Sequence, residues 1–293
     1  MKTNEFILKF LFIVILSIIL LAYTMYVLNN TNSDWEFYLK GSWALGVVIP
    51  NGAKLEDGTI VRWSEVKNIT AIIKLPQIIE TDGVIYIVLS AMTQSKTILQ
   101  VAIGIEPNRT TWLTYAMIVT NISSGANYTW ITERGPPSMN NNDLIIISIY
   151  LSLHQNKYIW SYKIHDITTN VSYIGLLIND NSQAFMDGEQ EVIALESYTK
   201  NEHIFMSMGN ITLYALFLNN KRVVGGWYFY DGWDWTKHPL FVIGSIQVPN
   251  YISISSDNNT IYWRYNPVTW GTPTITTTKT TDVYTNPNKM NDS

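Results

Sequence analysis

The chain has no cysteine among its 293 residues. Disulfides, thiolate nucleophiles and cysteine-ligated metals are therefore excluded, and a folded domain must rely on its apolar core. Charge is scarce as well: 14% of residues are charged, with 23 acidic against 19 basic side chains. No basic stripe is present, so no nucleic-acid partner is expected. His154, His165, His203 and His238 stand apart, without a His-x-x-x-His or carboxylate-flanked pair, so neither a metal nor another cofactor is expected. No Gly-x-Ser-x-Gly serine-hydrolase signature occurs, and Gly225-Gly226 reads as a pair within a strand rather than a phosphate loop. Low charge density also limits self-repulsion in acid. With all 23 carboxylates protonated, only 19 Lys and Arg and four His carry charge, which is compatible with an acid environment.

One long hydrophobic run is present. Phe10 to Leu28 has no charged residue and is long enough to cross a bilayer core as a helix. Lys2 and Lys9 precede it and Asp34 and Glu36 follow, so residues 1–9 are expected in the cytoplasm and the rest outside. No clear small-x-small cleavage site follows the run, which favours an uncleaved anchor at 10–28 over a cleaved signal; a cleaved segment would leave a secreted protein. Nine Asn-x-Ser/Thr sequons agree with export, at Asn29, Asn68, Asn108, Asn121, Asn127, Asn170, Asn210, Asn258 and Asn291. Such sites accept N-linked glycans in exported chains.

After a linker at 29–41 the chain reads as β. Runs of five to ten residues rich in Ile, Val, Tyr, Trp and Thr alternate with breakers. The clearest runs are Ile69–Leu75, Ile85–Leu89, Thr97–Gly104, Thr111–Thr120, Leu144–Leu153, Tyr158–Ile167, Glu191–Tyr198, Ile211–Leu218, Arg222–Tyr230, Tyr251–Ser255 and Thr260–Tyr265. Asp82-Gly83, Gly135-Pro136-Pro137, Asn140 to Asp143 and Asp257-Asn258-Asn259 are expected to interrupt them. Many sequential strands without βα alternation or internal repeat predict an all-β antiparallel sandwich over 42–270. Residues 271–293 are Thr-rich and too poor in apolar groups to fold alone.

Two polar residues stand out at the ends of mostly apolar runs: Gln100 after Thr97-Ile98-Leu99, and Glu196 after Val192-Ile193-Ala194-Leu195. They read either as outward-facing polar positions on half-solvated strands or as a pair that holds a water. Glu191 and Glu196 suggest the two carboxyls of a glycosidase. Five residues apart on an unbroken strand, however, they fall on opposite faces. A bulge would bring them together, but nothing in the sequence demands one. The segment Gly225 to Trp235 packs six aromatics into nine residues. It is either sheet packing with a capped loop or a stacking platform for sugar or extended peptide, with Trp233 and Trp235 expected to be the more exposed.

Several segments, in order, resemble the eqolisins, or glutamic peptidases. Trp43-Ala44-Leu45-Gly46 resembles the family's opening Trp-Ala-Gly, and Ile69 to Pro76 its first long strand. Ser90-Ala91 followed by Thr97-Ile98-Leu99-Gln100 resembles Ser-Ala-Trp…Ala-Ile-Leu-Gln. Asn142-Asp143-Leu144-Ile145 resembles Gly-Asp-x-Ile, Ile167-Thr168-Thr169 resembles Leu-Thr-Thr, and Ile193-Ala194-Leu195-Glu196 resembles Trp-Ile-Val-Glu. Met208 to Leu213 resembles Phe-Gly-Thr-Val-Thr-Phe. Where the family has tryptophan after Ser-Ala, this chain has Met92; its Trp-Tyr-Glu-Trp becomes Trp112-Leu113-Thr114-Tyr115, and its cysteines are missing.

The resemblance covers about 42–265. It implies a concanavalin-like sandwich of two bent sheets and gives Gln100 and Glu196 the catalytic roles. Met92, Trp112, Thr114, Trp233 and Trp235 would then line the substrate cleft. The expectation is a membrane-anchored, glycosylated acid endopeptidase acting on polypeptides. In it Glu196 is general acid and base, while Gln100 orients water and stabilises the oxyanion. The alternative is a catalytically weak or inactive envelope sandwich that binds glycan or a surface protein, which the changes at Met92 and Thr114 favour.

Overall fold

The computed structural model describes residues 43–120, 127–154, 157–179, 182–198, 206–231, 252–257 and 259–265. The expected anchor at 10–28, the linker at 29–41 and the tail at 271–293 lie outside the described residues, as do Asn121, Asn258, Trp233 and Trp235. Among the described residues no helix is long and apolar enough to cross a membrane.

The architecture is all-β and antiparallel. Among the described residues one sheet has seven strands: β1 (Trp43–Ile49), β5 (Val84–Met92), β6 (Ile98–Ile105), β7 (Trp112–Thr120), β8 (Asn127–Met139), β12 (Gln190–Tyr198) and β16 (Tyr228–Asp231), in the order β16-β1-β12-β5-β6-β7-β8. The second has nine: β2 (Lys54–Leu55), β3 (Asn68–Lys74), β9 (Leu144–His154), β10 (Lys157–Asp166), β11 (Val171–Ile178), β14 (Ile211–Leu218), β15 (Lys221–Gly225), β17 (Ile252–Asp257) and β18 (Thr260–Tyr265). Its main path runs β11-β10-β9-β3-β14-β15-β2, with β18 also pairing β14 and β17 pairing β18. A small ribbon joins β4 (Ile78–Thr81) to β13 (Met206–Met208), and Trp63–Glu65 form a 3-10 turn.

Strict alternation of burial along β3, from half-buried Asn68 through Ile69, Ala71 and Ile73, fixes its inward face. On β5 to β7 the inward set includes Ile85, Ile87, Leu89, Leu99, Val101, Ile103, Ala116 and Ile118. Trp63, Trp112, Trp160 and Trp263 are fully enclosed. Burying each such side chain contributes roughly 1.5–3 kcal/mol, which replaces the missing disulfides. Two of these rings also tie β1 into the molecule: Trp263 Nε1 donates to Leu45 O at 2.9 Å and Trp63 Nε1 to Ile49 O at 2.8 Å.

Two expectations about breakers are corrected. Gly135-Pro136-Pro137 does not interrupt a strand but lies inside β8, which among the described residues pairs with β7 alone. An edge strand tolerates proline because one side of its ladder is unused. Gly225-Gly226 is not a pair within a strand. Gly225 ends β15, and Gly226 lies beyond it with φ of 81°, so the expected run Arg222–Tyr230 is divided into β15 and β16.

Candidate functional site

The residues that matter lie on the face of the seven-stranded sheet turned away from the core. Since Leu45, Val47, Leu195, Ile87, Leu89, Leu99 and Val101 point into the sandwich, their neighbours point out. The pairing register arranges those neighbours in three rows across the strands. One row runs Val48, Glu191, Ser90, Gln100, Met117; there Glu191 stands beside Ser90, whose hydroxyl donates to Glu191 O at 3.1 Å. The middle row is Gly46, Ala194, Val88, Ala102, Tyr115. The third is Ala44, Glu196, Tyr86, Gly104, Leu113. Apart from Tyr115 the middle row is made of small or short side chains, so it forms a low floor between rows that carry Glu191 and Gln100 on one side and Glu196 on the other.

Glu191 reaches this face through a β-bulge. β1 and β12 pair regularly from Trp43↔Ser197 to Val47↔Ile193, and the next pair is Val48↔Glu191. Val192 is the extra residue, fully buried in the core beside Ile193. The bulge makes the five-residue spacing behave as four, so Glu191 and Glu196 share a face. The expectation that they fall on opposite faces is thereby overturned.

The two carboxyls are unlike in their surroundings. Glu196 is buried and accepts a hydrogen bond from Tyr198 Oη at 2.7 Å. Burial pushes its pKa up to about 7, against the pull of the Tyr198 hydroxyl, which favours the charged form. Glu191 is half-buried as a residue, but its Oε1 is enclosed without a hydrogen-bond partner. Desolvation, and secondarily the charge of Glu196, push its pKa up to about 8. Its carboxyl leans over Gly46, into the space a side chain there would fill.

Gln100 is half-buried and shares the face of both carboxyls. It stands in the row of Glu191, two strand spacings away, or roughly 10 Å between α-carbons, with only the short Ser90 between them. Glu196 is opposite Tyr86, four residues along β5 from Ser90. That places its α-carbon roughly 16 Å from that of Gln100. Gln100 and Glu196 thus stand apart across the floor on a diagonal, while Glu191 shares the row of Gln100 with its carboxyl leaning toward Gly46 on β1.

Aromatic rings border the floor. Tyr198 meets Tyr86 edge-on at 5.8 Å, Tyr86 meets Tyr115 at 4.9 Å, and Tyr115 meets Trp130 at 6.3 Å between centroids. Gly104 allows the middle contact, since an added Cβ would lie 2.5 Å from Tyr86 Cδ1 and 2.7 Å from Tyr115 Cε2. At the far end Glu106 accepts from Tyr115 Oη and pairs with Arg134.

Other expected site residues are sorted by the same alternation. Met92 lies outward, half-buried, two residues from Ser90, and its backbone N–H donates to Gln190 Oε1. Trp112 and Thr114 do not line the floor. On β7 the outward positions are Leu113, Tyr115 and Met117, so Trp112 and Thr114 turn inward and are fully buried, with Trp112 Nε1 donating to Asn141 Oδ1. The order of residue types was recognisable; the face they occupy was not. Among the sequons, Asn108, Asn127, Asn170 and Asn210 are exposed, whereas Asn68 is half-buried and hydrogen-bonded to Thr70 and Asn220. No cluster of His, Asp or Glu fit to hold a metal occurs among the described residues.

No protein-family model and no curated protein matches the sequence. Among solved structures the chain is similar to scytalido-glutamic peptidase bound to a transition state analog inhibitor. That structure is 11% identical, over 77% of this chain and 98% of that one, with a TM-score of 0.43. It is likewise similar to scytalido-glutamic peptidase bound to a peptide-based transition state analog, at 13% identity, 76% and 98% coverage and a TM-score of 0.42. A third is SCP-B, a member of the eqolisin family of peptidases, in complex with the tripeptide Ala-Ile-His, at 11% identity, 76% and 98% coverage and a TM-score of 0.43. The roles of individual residues rest on the register and burial within this chain.

Proposed function

We propose that the protein is an exported, membrane-anchored acid endopeptidase in which Gln100 and a carboxyl of β12 hydrolyse peptide bonds held over the floor of small residues. Export, the anchor and glycosylation rest on the sequence alone. The observation that carries the chemistry is Glu191 in the row of Gln100, with one carboxyl oxygen, Oε1, enclosed and without a hydrogen-bond partner. Below a pKa of about 8 this carboxyl is neutral. With Oε1 enclosed, the other oxygen, Oε2, gives a proton to the scissile carbonyl and takes one from the attacking water, so the carboxyl ends as it began. The Gln100 carbonyl orients that water and its amide N–H donates to the developing oxyanion. Collapse of the tetrahedral diol then passes a proton to the leaving amine. Glu196, held by Tyr198, is the second carboxyl of the site and the one named by the family resemblance.

The test is cleavage of a denatured protein at acid pH by the full chain and its variants. Glu191→Gln and Gln100→Ala are expected to slow it by about 100-fold or more. A larger loss in Glu196→Gln than in Glu191→Gln would move the acid role back to Glu196. Equal cleavage by all variants and the parent would sink the peptidase reading. An inactive parent that retains peptide or glycan binding would support the envelope-binding reading, which the diagonal separation of Gln100 and Glu196 favours.

A further inference from the structure

Gly46 is a glycine in mid-strand, where such a residue normally weakens a sheet. Its φ is not among the positive values that need glycine, which occur at Gly52, Gly58, Gly188 and Gly226. The backbone therefore gives no reason for it; the space above it does. A Cβ built on Gly46 would lie 2.5 Å from Glu191 Oε1, 3.2 Å from Ala194 Cβ and 3.2 Å from Ile193 O. The first of these is a collision, and the other two leave the methyl little room to shift away from it.

We propose that Gly46 is a positioning residue of the site: its bare α-carbon, beside Ala194 and next to the Val192 bulge, forms the slot in which the Glu191 carboxyl lies. β12 supplies the acid and β1 the vacancy it fills. The slot accounts for the enclosure of Oε1, which lies in the space above Gly46, walled on that side by a bare α-carbon that offers no hydrogen bond. Such walls keep water from one oxygen and hold the carboxyl neutral over the floor. The titratable groups around it are Glu196 on its own strand, with Tyr198 and Tyr86 grouped around Glu196, and on β16 Tyr228, opposite Val48 and hydrogen-bonded to Glu189, and Tyr230, at the register position opposite Gly46. Evicting the carboxyl places it in water, where it ionises at lower pH and no longer rests in a fixed position relative to Gln100.

This inference rests on the peptidase reading for its kinetic consequence but not for its structural one. In Gly46→Ala the Glu191 carboxyl, followed by carbon NMR with labelled glutamate, is expected to titrate about one pH unit or more below its value in the parent. Where the parent cleaves peptide, kcat is expected to fall by about tenfold with little change in KM, because the acid is misplaced rather than the substrate. A second measurement covers poor folding of the variant. The loss of melting temperature caused by Gly46→Ala is expected to shrink by about half or more in a Glu191→Ala background, where the methyl has room. Unchanged titration of Glu191 in Gly46→Ala, or an equal loss of melting temperature in both backgrounds, overturns the slot. Absence of cleavage by the parent sinks the peptidase reading alone and leaves both structural readouts decisive.

Discussion

At the scale of single residues, the behaviour of Glu196 is set by a balance between burial and one hydrogen bond. Burial disfavours its charge, and the Tyr198 hydroxyl at 2.7 Å supports that charge. Tyr198→Phe removes only the support. A hydrogen bond to a charged group contributes about 1.5–3 kcal/mol, so the Glu196 pKa is expected to rise by about one unit or more above its value near 7. Titration by NMR checks this, and a downward shift would show that burial is not the leading cause. Tyr198 was visible in the sequence only as the end of a strand. Its bond to a residue two positions earlier follows from the period-two geometry that puts both on one face.

At the scale of elements, the bulge in β12 decides which side chains can meet. Deleting Val192 is expected to keep Glu191 on the face of Glu196, because five positions minus one gives an even spacing on a regular strand. The deletion removes a buried valine, costing roughly 1.5–3 kcal/mol. A crystal structure of the deletion variant would check the outcome, and a Glu191 turned toward the core would contradict it. The bulge was illegible in the sequence because it is a property of a pair. Val192 is an ordinary strand residue until β1 is laid beside it, and only then does one residue lack an opposite number. The alternation within β7 was legible in principle. Leu113, Tyr115 and Met117 form an outward set as readily as an inward one, and packing against Ala102 and Val88 settled the choice.

At the scale of the whole molecule, raised carboxyl pKa values make acid the stabilising condition. Besides Glu191 and Glu196, Asp143 is buried at the turn before β9 and has its pKa raised, first by desolvation and then, against a bond from Asn140 N–H, by Asp166. Asp166 is also buried and accepts from Thr168 N–H, Thr169 N–H and the Thr169 hydroxyl, so the carboxyl pair ties the start of β9 to the end of β10. Each raised group binds its proton more tightly folded than unfolded. Its stabilisation is therefore complete below the unfolded value near 4 and is lost as pH rises through the folded value. For Glu196 the difference is on the order of 3 kcal/mol, from a folded pKa of about 7. Melting temperature is expected to be higher at pH 4 than at pH 9, with the fall steepest between about pH 5 and 7. Glu196→Gln should flatten part of that fall. A protein equally stable at both ends of the range would show that the carboxyls are not held neutral by burial.

The sequence by itself determined the class of the fold, because β-branched and aromatic runs separated by Asn, Asp and Gly clusters permit little but antiparallel strands. It also determined that stability comes from packing, since no cysteine is present to offer anything else. Gln100 and Glu196 drew notice in the sequence because a polar residue in an apolar run needs a reason. Only the tertiary structure decided which polar residues face one another. Register between strands distant in sequence placed Glu191 in the row of Gln100, left Glu196 on the diagonal and turned Trp112 and Thr114 into the core. Alternation within one strand assigns residues to two faces without saying which is inside, and neighbouring strands alone supply that answer.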